Sequence, residues 1–161
     1  MAGKYSNLQA VLFGGLTAGT VDIAAASLIF WRHPIFILHS VASGLFGHAS
    51  FVGGMSTAIA GMLLQWAMSL IIAAIYVLAS AWLPALRRMW IAGGLAYGAA
   101  IFFVMNYVVV PLSAVHRVPH FSPRMFAENM LAMLLFGLIL AYFARRPKIA
   151  NETRRPATAP A

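Results

Sequence analysis

Cysteine is absent from the 161 residues, and only three of them are acidic: Asp22, Glu128 and Glu152. Without cysteine there is no disulfide framework, no thiolate metal site and no cysteine nucleophile. Charge of either sign is scarce, at 9% of residues, against about 25% in an ordinary soluble domain. The eleven basic residues give a formal net charge of +8, but they sit in loops and at the ends. A nucleic-acid-binding domain, a coiled coil and a disordered chain all fit this composition poorly, and nucleic acid is not an expected partner. What the chain has in quantity is apolar surface: 62% of residues are hydrophobic and the mean hydropathy is +0.85.

Residues 33–86 and 89–116 carry no Asp, Glu, Lys or Arg. Such runs exceed what the core of a small soluble domain can bury, and a bilayer core needs about 20 apolar residues per helical crossing. The pattern predicts an all-α, polytopic membrane protein whose single transmembrane domain covers residues 1–144. Its four spans fall near Leu8–Phe30, Met55–Leu78, Met89–Val110 and Met125–Phe143. Lys4, the apolar stretch after it and the small residues Ala24–Ser27 imitate a signal peptide. The length of the stretch, and Asp22 within it, favour a retained span instead.

Residues 34–54, between the first and second spans, are apolar but broken by Gly44, Gly47, Gly53 and Gly54. As a helix, this segment gathers His39, Ser43 and Gly47 on one face, beside Ser40, Gly44 and His48. Ile35, Leu38, Val41, Ala42, Leu45 and Phe46 fall opposite. It reads as an interfacial or re-entrant element of a four-helix bundle, not as a fifth span.

Orientation follows from the basic residues near the span ends. With the N-terminus inside, Lys4, Arg87, Arg88, Arg145, Arg146, Lys148, Arg154 and Arg155 are internal, and Arg32, Arg117 and Arg124 external. Both termini are therefore expected in the cytoplasm, with Trp31, Trp82 and Trp90 as interface anchors. Residues 145–161, rich in Pro, Ala and Arg, read as a disordered cytoplasmic tail in contact with anionic lipid.

Two internal similarities suggest a duplicated hairpin. GGLTAG at Gly14–Gly19 matches GGLAYG at Gly93–Gly98, and the second and fourth spans both contain a stretch opening on Ala-Met, at Ala67 and Ala132. Gly15/Gly19 and Gly94/Gly98 are each GxxxG, the spacing that lets helix backbones approach closely. The contact is expected inside the bundle or across a homodimer or larger membrane complex formed through spans 1 and 3. Isoleucine at Gly15 or Gly94 should then cost more than at Ala73.

Polar groups inside a membrane are expensive and need a partner or a purpose. Asp22 lies on the outer half of the first span. It reads either as a proton, ion or ligand site or as a structural acid held by a cation. The same topology places Asn106, Glu128 and Asn129 on the outer half and Arg117 and Arg124 on the outer loops, so these six residues are the candidates for one outer-facing polar site. Gln65 could form its floor, and Asp22 is expected within reach of Asn106 and one of the arginines. Glu128 also reads as an ordinary acid in the first turn of a helix after Ser122-Pro123. All five histidines (33, 39, 48, 116 and 120) map to the outer side or the odd segment. They support an alternative, a metal- or haem-binding redox module, although His116 and His120 flank Pro119 and no HExxH motif is present. No catalytic set, cofactor site or metal site is legible, so an enzyme is not the favoured reading.

AGTVD at Ala18–Asp22, the Asn106, Pro111 and Leu112 pattern closing the third span, and Glu128 opening the fourth together resemble the YagU-like group of small bacterial inner-membrane proteins. The resemblance covers about residues 10–145. It implies a polytopic inner-membrane protein without an assigned reaction and transfers no catalytic residue.

Overall fold

The computed structural model describes residues 6–116 and 120–145. Arg117 and the tail after Arg145 lie outside them. The described chain is helical, with no strand. Ser6 opens α1 (Asn7–Ile29) with a capping box, its Oγ accepting from the Gln9 N–H while Gln9 Oε1 accepts from the Ser6 N–H. The chain reverses at Trp31, which takes a left-handed φ of 50°. His33 caps and Pro34 starts α2 (Pro34–Phe46), which runs into a 3-10 turn at Gly47–Phe51. Then come α3 (Gly54–Trp82) and a short α4 (Pro84–Arg88) started by a proline. α5 (Trp90–Val104) continues through a π-helical turn at Met105–Val109 into α6 (Val110–Leu112). Ser122 caps and Pro123 starts α7 (Pro123–Ala144).

Five stretches are long and apolar enough to cross a membrane: Asn7–Ile29, Pro34–Phe51, Gly54–Trp82, Trp90–Leu112 and Pro123–Ala144. Four correspond to the expected spans, with ends moved by one to four residues. The fifth is the segment set aside as too short. The 3-10 turn extends α2 to 18 residues, so by length and composition it too qualifies. A count of four is therefore not what length and hydropathy alone give.

The long helices pack in the order α3, α1, α7, α5, with α2 against the first half of α3. Contacts along α1 fix the directions. Ala10 clusters with Tyr76 and Val77 of α3, Gly15 faces Leu70, Asp22 meets Gln65, and Ile23 clusters with Ala58. The two helices are antiparallel. α7 is antiparallel to α1 as well, with Ala10 beside Ala144 and Ala18 beside Phe136. α5 is antiparallel to α7, with Trp90 near Tyr142 and Phe102 near Phe126. The start of α1 and the end of α7 thus share one end of the molecule, and α2 lies at the other.

Small residues fill the contacts. Ala18, Ala73 and Ala144 are buried, as are Ser69 and Ser80, while Leu63, Ile71, Ile75 and Leu78 point outward along α3. A large apolar exterior over a small-residue interior is the arrangement expected when helices pack by close backbone approach and lipid covers the outside. The glycines show it directly. Gly15 and Gly19 face α3, Gly14 faces α7, and Gly94 and Gly98 interlock with Gly137 of α7. The GxxxG faces of α1 and α5 are covered by α3 and α7, not by one another. Ala73, expected to be the indifferent position, is 1% exposed in the cluster with Ala18, Phe136 and Leu140, so a larger side chain there also meets packed atoms.

Candidate functional site

The site is built on the α1–α3 contact. Gly15, Gly19 and Asp22 are spaced i, i+4, i+7 and share one face of α1. Gln65 and Ser69, spaced i, i+4, share the facing stripe of α3. A Cβ at Gly15 would lie 2.9 Å from the Leu70 side chain, and one at Gly19 would lie 2.5 Å from the Ser69 hydroxyl. The absence of those side chains brings the helices close enough for the pair one turn further on. Gln65 Nε2 donates to Asp22 Oδ2 at 2.8 Å. Beside it, Trp66 Nε1 donates to Thr20 Oγ1 at 3.2 Å, and Thr20 Oγ1 donates to the Leu16 carbonyl at 2.8 Å. Both interhelical side-chain bonds of this contact therefore lie within a turn of each other.

The remaining candidates take other partners. Asn106 is buried in the π-helical turn, where its Nδ2 donates to the Phe102 carbonyl of its own helix at 2.9 Å. A π turn leaves backbone acceptors out of the i→i−4 pattern, and the asparagine amide supplies a donor there. Glu128 pairs with Arg124 one turn before it, at 2.7 Å on the exposed face of α7. This is the only ion pair among the described residues. Among the described residues Asp22, Asn106 and Arg124, which the sequence grouped with Arg117 as the alternative cation, take three separate local arrangements. Asn129 is half-buried on α7, and Arg117 lies outside the described residues.

The histidines are spread out. His33 caps α2, His39 Nε2 is 2.9 Å from the Gly54 carbonyl, and His39 and His48 both pack near Phe51. His116 and His120 are exposed, His116 with a left-handed φ of 48°. Among the described residues no three His, Asp or Glu side chains group as a metal site.

Two features escaped the sequence reading. Tyr76 and Tyr97 meet tilted, with ring centroids 4.9 Å apart, between α3 and α5, and Tyr97 donates to the Ile72 carbonyl at 2.8 Å while the buried Tyr76 hydroxyl has no hydrogen-bond partner among the described residues. Arg145 ends α7 between two aromatic rings. A tyrosine in an apolar run looks like packing, and an arginine at a span end looks like topology, so neither announces itself in sequence. Searches against protein-family models, curated proteins and solved structures gave no match to the chain.

Proposed function

We propose that this is a small multi-pass protein of a bacterial inner membrane that works as a non-enzymatic accessory or transporter-like unit, taking up a proton or small cation at the Asp22–Gln65 pair. One observation carries the reading. The carboxylate between α1 and α3 has a neutral amide as its hydrogen-bond partner and no ion pair to a cationic side chain among the described residues. A carboxylate in apolar surroundings needs its charge balanced. With no described arginine doing so, a proton or a bound cation fills that role in this reading, and either can be exchanged. The neighbouring Thr20, Trp66 and Ser69 add polar atoms but no charge.

In the same proposal α2 and its 3-10 turn return to the side they left, four helices cross, and both termini face the cytoplasm. The antiparallel pairing of α1 and α3 supports this, since a full crossing by α2 would make them parallel. So does the basic charge gathered at the end shared by the termini.

The test is covalent labelling in native membranes. An apolar carbodiimide reacts with protonated carboxyls in the bilayer, and a water-soluble one reaches the partly exposed Glu128 as a control. Mass spectrometry should find the apolar reagent on Asp22, increasingly at acid pH, and absent from Asp22→Asn. An unlabelled Asp22 at acid pH, with Glu128 labelled, would overturn the reading.

A further inference from the structure

At the end of the molecule opposite α2, Arg145 closes α7 by donating its backbone N–H to the Ala141 carbonyl at 3.0 Å. Its side chain folds back over aromatic rings. The guanidinium carbon lies 4.7 Å from the Trp90 ring centroid and 4.0 Å from that of Tyr142, and the two rings meet edge to face at 6.1 Å. Both rings lie close to the guanidinium carbon, a cation–π arrangement that holds the charge in place. Arg145 Nε is buried and has no hydrogen-bond partner among the described residues. None of the described acids pairs with it: Glu128 is taken by Arg124, and Asp22 by Gln65. Among the described residues this cation has aromatic neighbours and no anion beside it.

Beside the same two rings runs an apolar groove of about 390 Å³ on the outside of α7, between α1 and α5. Trp90, Ile91, Leu138, Ile139, Tyr142 and Phe143 line it. Trp90 and Tyr142 belong to both features, so the groove and the cation are neighbours across these rings. Ile91 and Tyr142 are exposed there, which in a bilayer means exposed to lipid. A phospholipid has the matching shape and charge: an apolar chain continuous with a phosphate that accepts from a guanidinium edge in the bidentate manner. Arg87 and Arg88, at the same end of the molecule, add charge of the same sign.

We propose that Arg145, Trp90 and Tyr142 hold one anionic phospholipid, its phosphate on the guanidinium and an acyl chain in the groove on α7. The proposal is independent of the Asp22 reading and needs only that the helices lie in a membrane.

Native mass spectrometry of the full chain, equilibrated with equal amounts of phosphatidylglycerol and phosphatidylcholine of identical chains, tests it. Wild type should retain the anionic lipid about five-fold over the zwitterionic one, the factor expected for one basic side chain at a membrane surface. Arg145→Gln should bring the ratio to about one, and Arg145→Lys, which keeps charge but loses the planar fork, should fall between them. Leu138→Trp, which fills the groove, should lower retention of both lipids while Arg145 remains. Helical circular dichroism and a monodisperse elution profile confirm that each variant is folded. Three results would overturn the site: no preference in wild type, a preference that survives Arg145→Gln and disappears on neutralising Arg146 and Lys148, or equally effective competition by free glycerol phosphate.

Discussion

The first hairpin, α1 with α3, and the second, α5 with α7, are built from the same small-residue device and put it to different use. In the second, glycines on both helices interlock: a Cβ at Gly94 would lie 2.9 Å from the Gly137 carbonyl, and one at Gly98 would collide with the Met133 carbonyl. In the first, glycines occur only on the α1 side, facing Leu70 and Ser69. Aligning Gly19 with Gly98 and Ala67 with Ala132 sets Ser69 opposite Leu134, and each glycine does face that residue. The registers agree at Gly19 and Gly98, whereas Gly15 faces Leu70 and Gly94 faces Gly137 and Leu138, about a turn further along than the counterpart Leu135. Under the same alignment Asp22 corresponds to Ile101 and Gln65 to Met130. The polar pair is an addition to one copy of a hairpin that packs without it.

The comparison breaks most readily at the doubly glycine contact. Gly98→Ala should cost about 1–3 kcal/mol, because backbone atoms face the new methyl and cannot turn away. Gly19→Ala should cost less, since the Ser69 hydroxyl can rotate to another rotamer. Ala67, exposed on α3, is the proper reference. Reversible unfolding in mixed micelles gives the order. Equal losses at Gly98 and Gly19 would mean that the two hairpins are packed equally tightly at these glycines.

The next effect concerns the pair itself. Gln65→Leu leaves the Asp22 carboxyl with no hydrogen-bond partner among the described residues and should lower stability by about 1–2 kcal/mol. Asp22→Asn can keep a bond to Gln65, with the amide oxygen accepting, and should cost under about 1 kcal/mol. Asp22→Ile, which restores the residue found in the second hairpin, should be tolerated as a fold while abolishing carbodiimide labelling. If Asp22→Asn proved the costlier of the two polar changes, an unrecognised cation would have to be pairing with the charge.

The crossing number divides the same two regions. Only the first hairpin has an extra apolar segment between its helices, and reporters on the two termini read its fate. With α2 returning, reporters active in the cytoplasm should be active at both ends. A silent N-terminal reporter beside an active C-terminal one would make α2 a fifth crossing, because the basic residues then keep only the C-terminus inside.

Much of this was legible beforehand, for identifiable reasons. The four long spans follow from the missing charges, and their ends moved only where local geometry acts. Gly54, at φ 62°, starts α3 a residue before Met55, and α3 runs on to Trp82 until Pro84 forces a new start. Gln65 was legible as the one amide in the middle of an apolar run. Its meeting with Asp22 was not, because that depends on the offset of two helices, set by Gly15 against Leu70. Asn106 misled for a different reason. Its polarity is real, but a π-helical turn consumes it locally, and nothing in MNYVV marks an i→i+5 register. Arg145 was counted for topology, since the stacking on Trp90 and Tyr142 needs the packing of α5 on α7.

The smallest effect is expected at Arg124, one of the two arginines that the sequence offers as a partner for Asp22. It lies on the first turn of α7, paired with Glu128 at i, i+4, with 77% of its side chain exposed. Water screens such a pair, and ordering two long side chains offsets most of its attraction. Arg124→Gln should therefore leave the unfolding midpoint unchanged within error, alone and in combination with Asp22→Asn. The double variant makes the test sharp. Two residues without a shared partner should show additive changes, whereas a pair in contact shows coupling. Measurable coupling between Arg124 and Asp22 would mean that α7 supplies the carboxylate with a counter-ion. The pair in the first hairpin would then be a structural ion pair, and the case for an exchangeable proton or cation there would be lost.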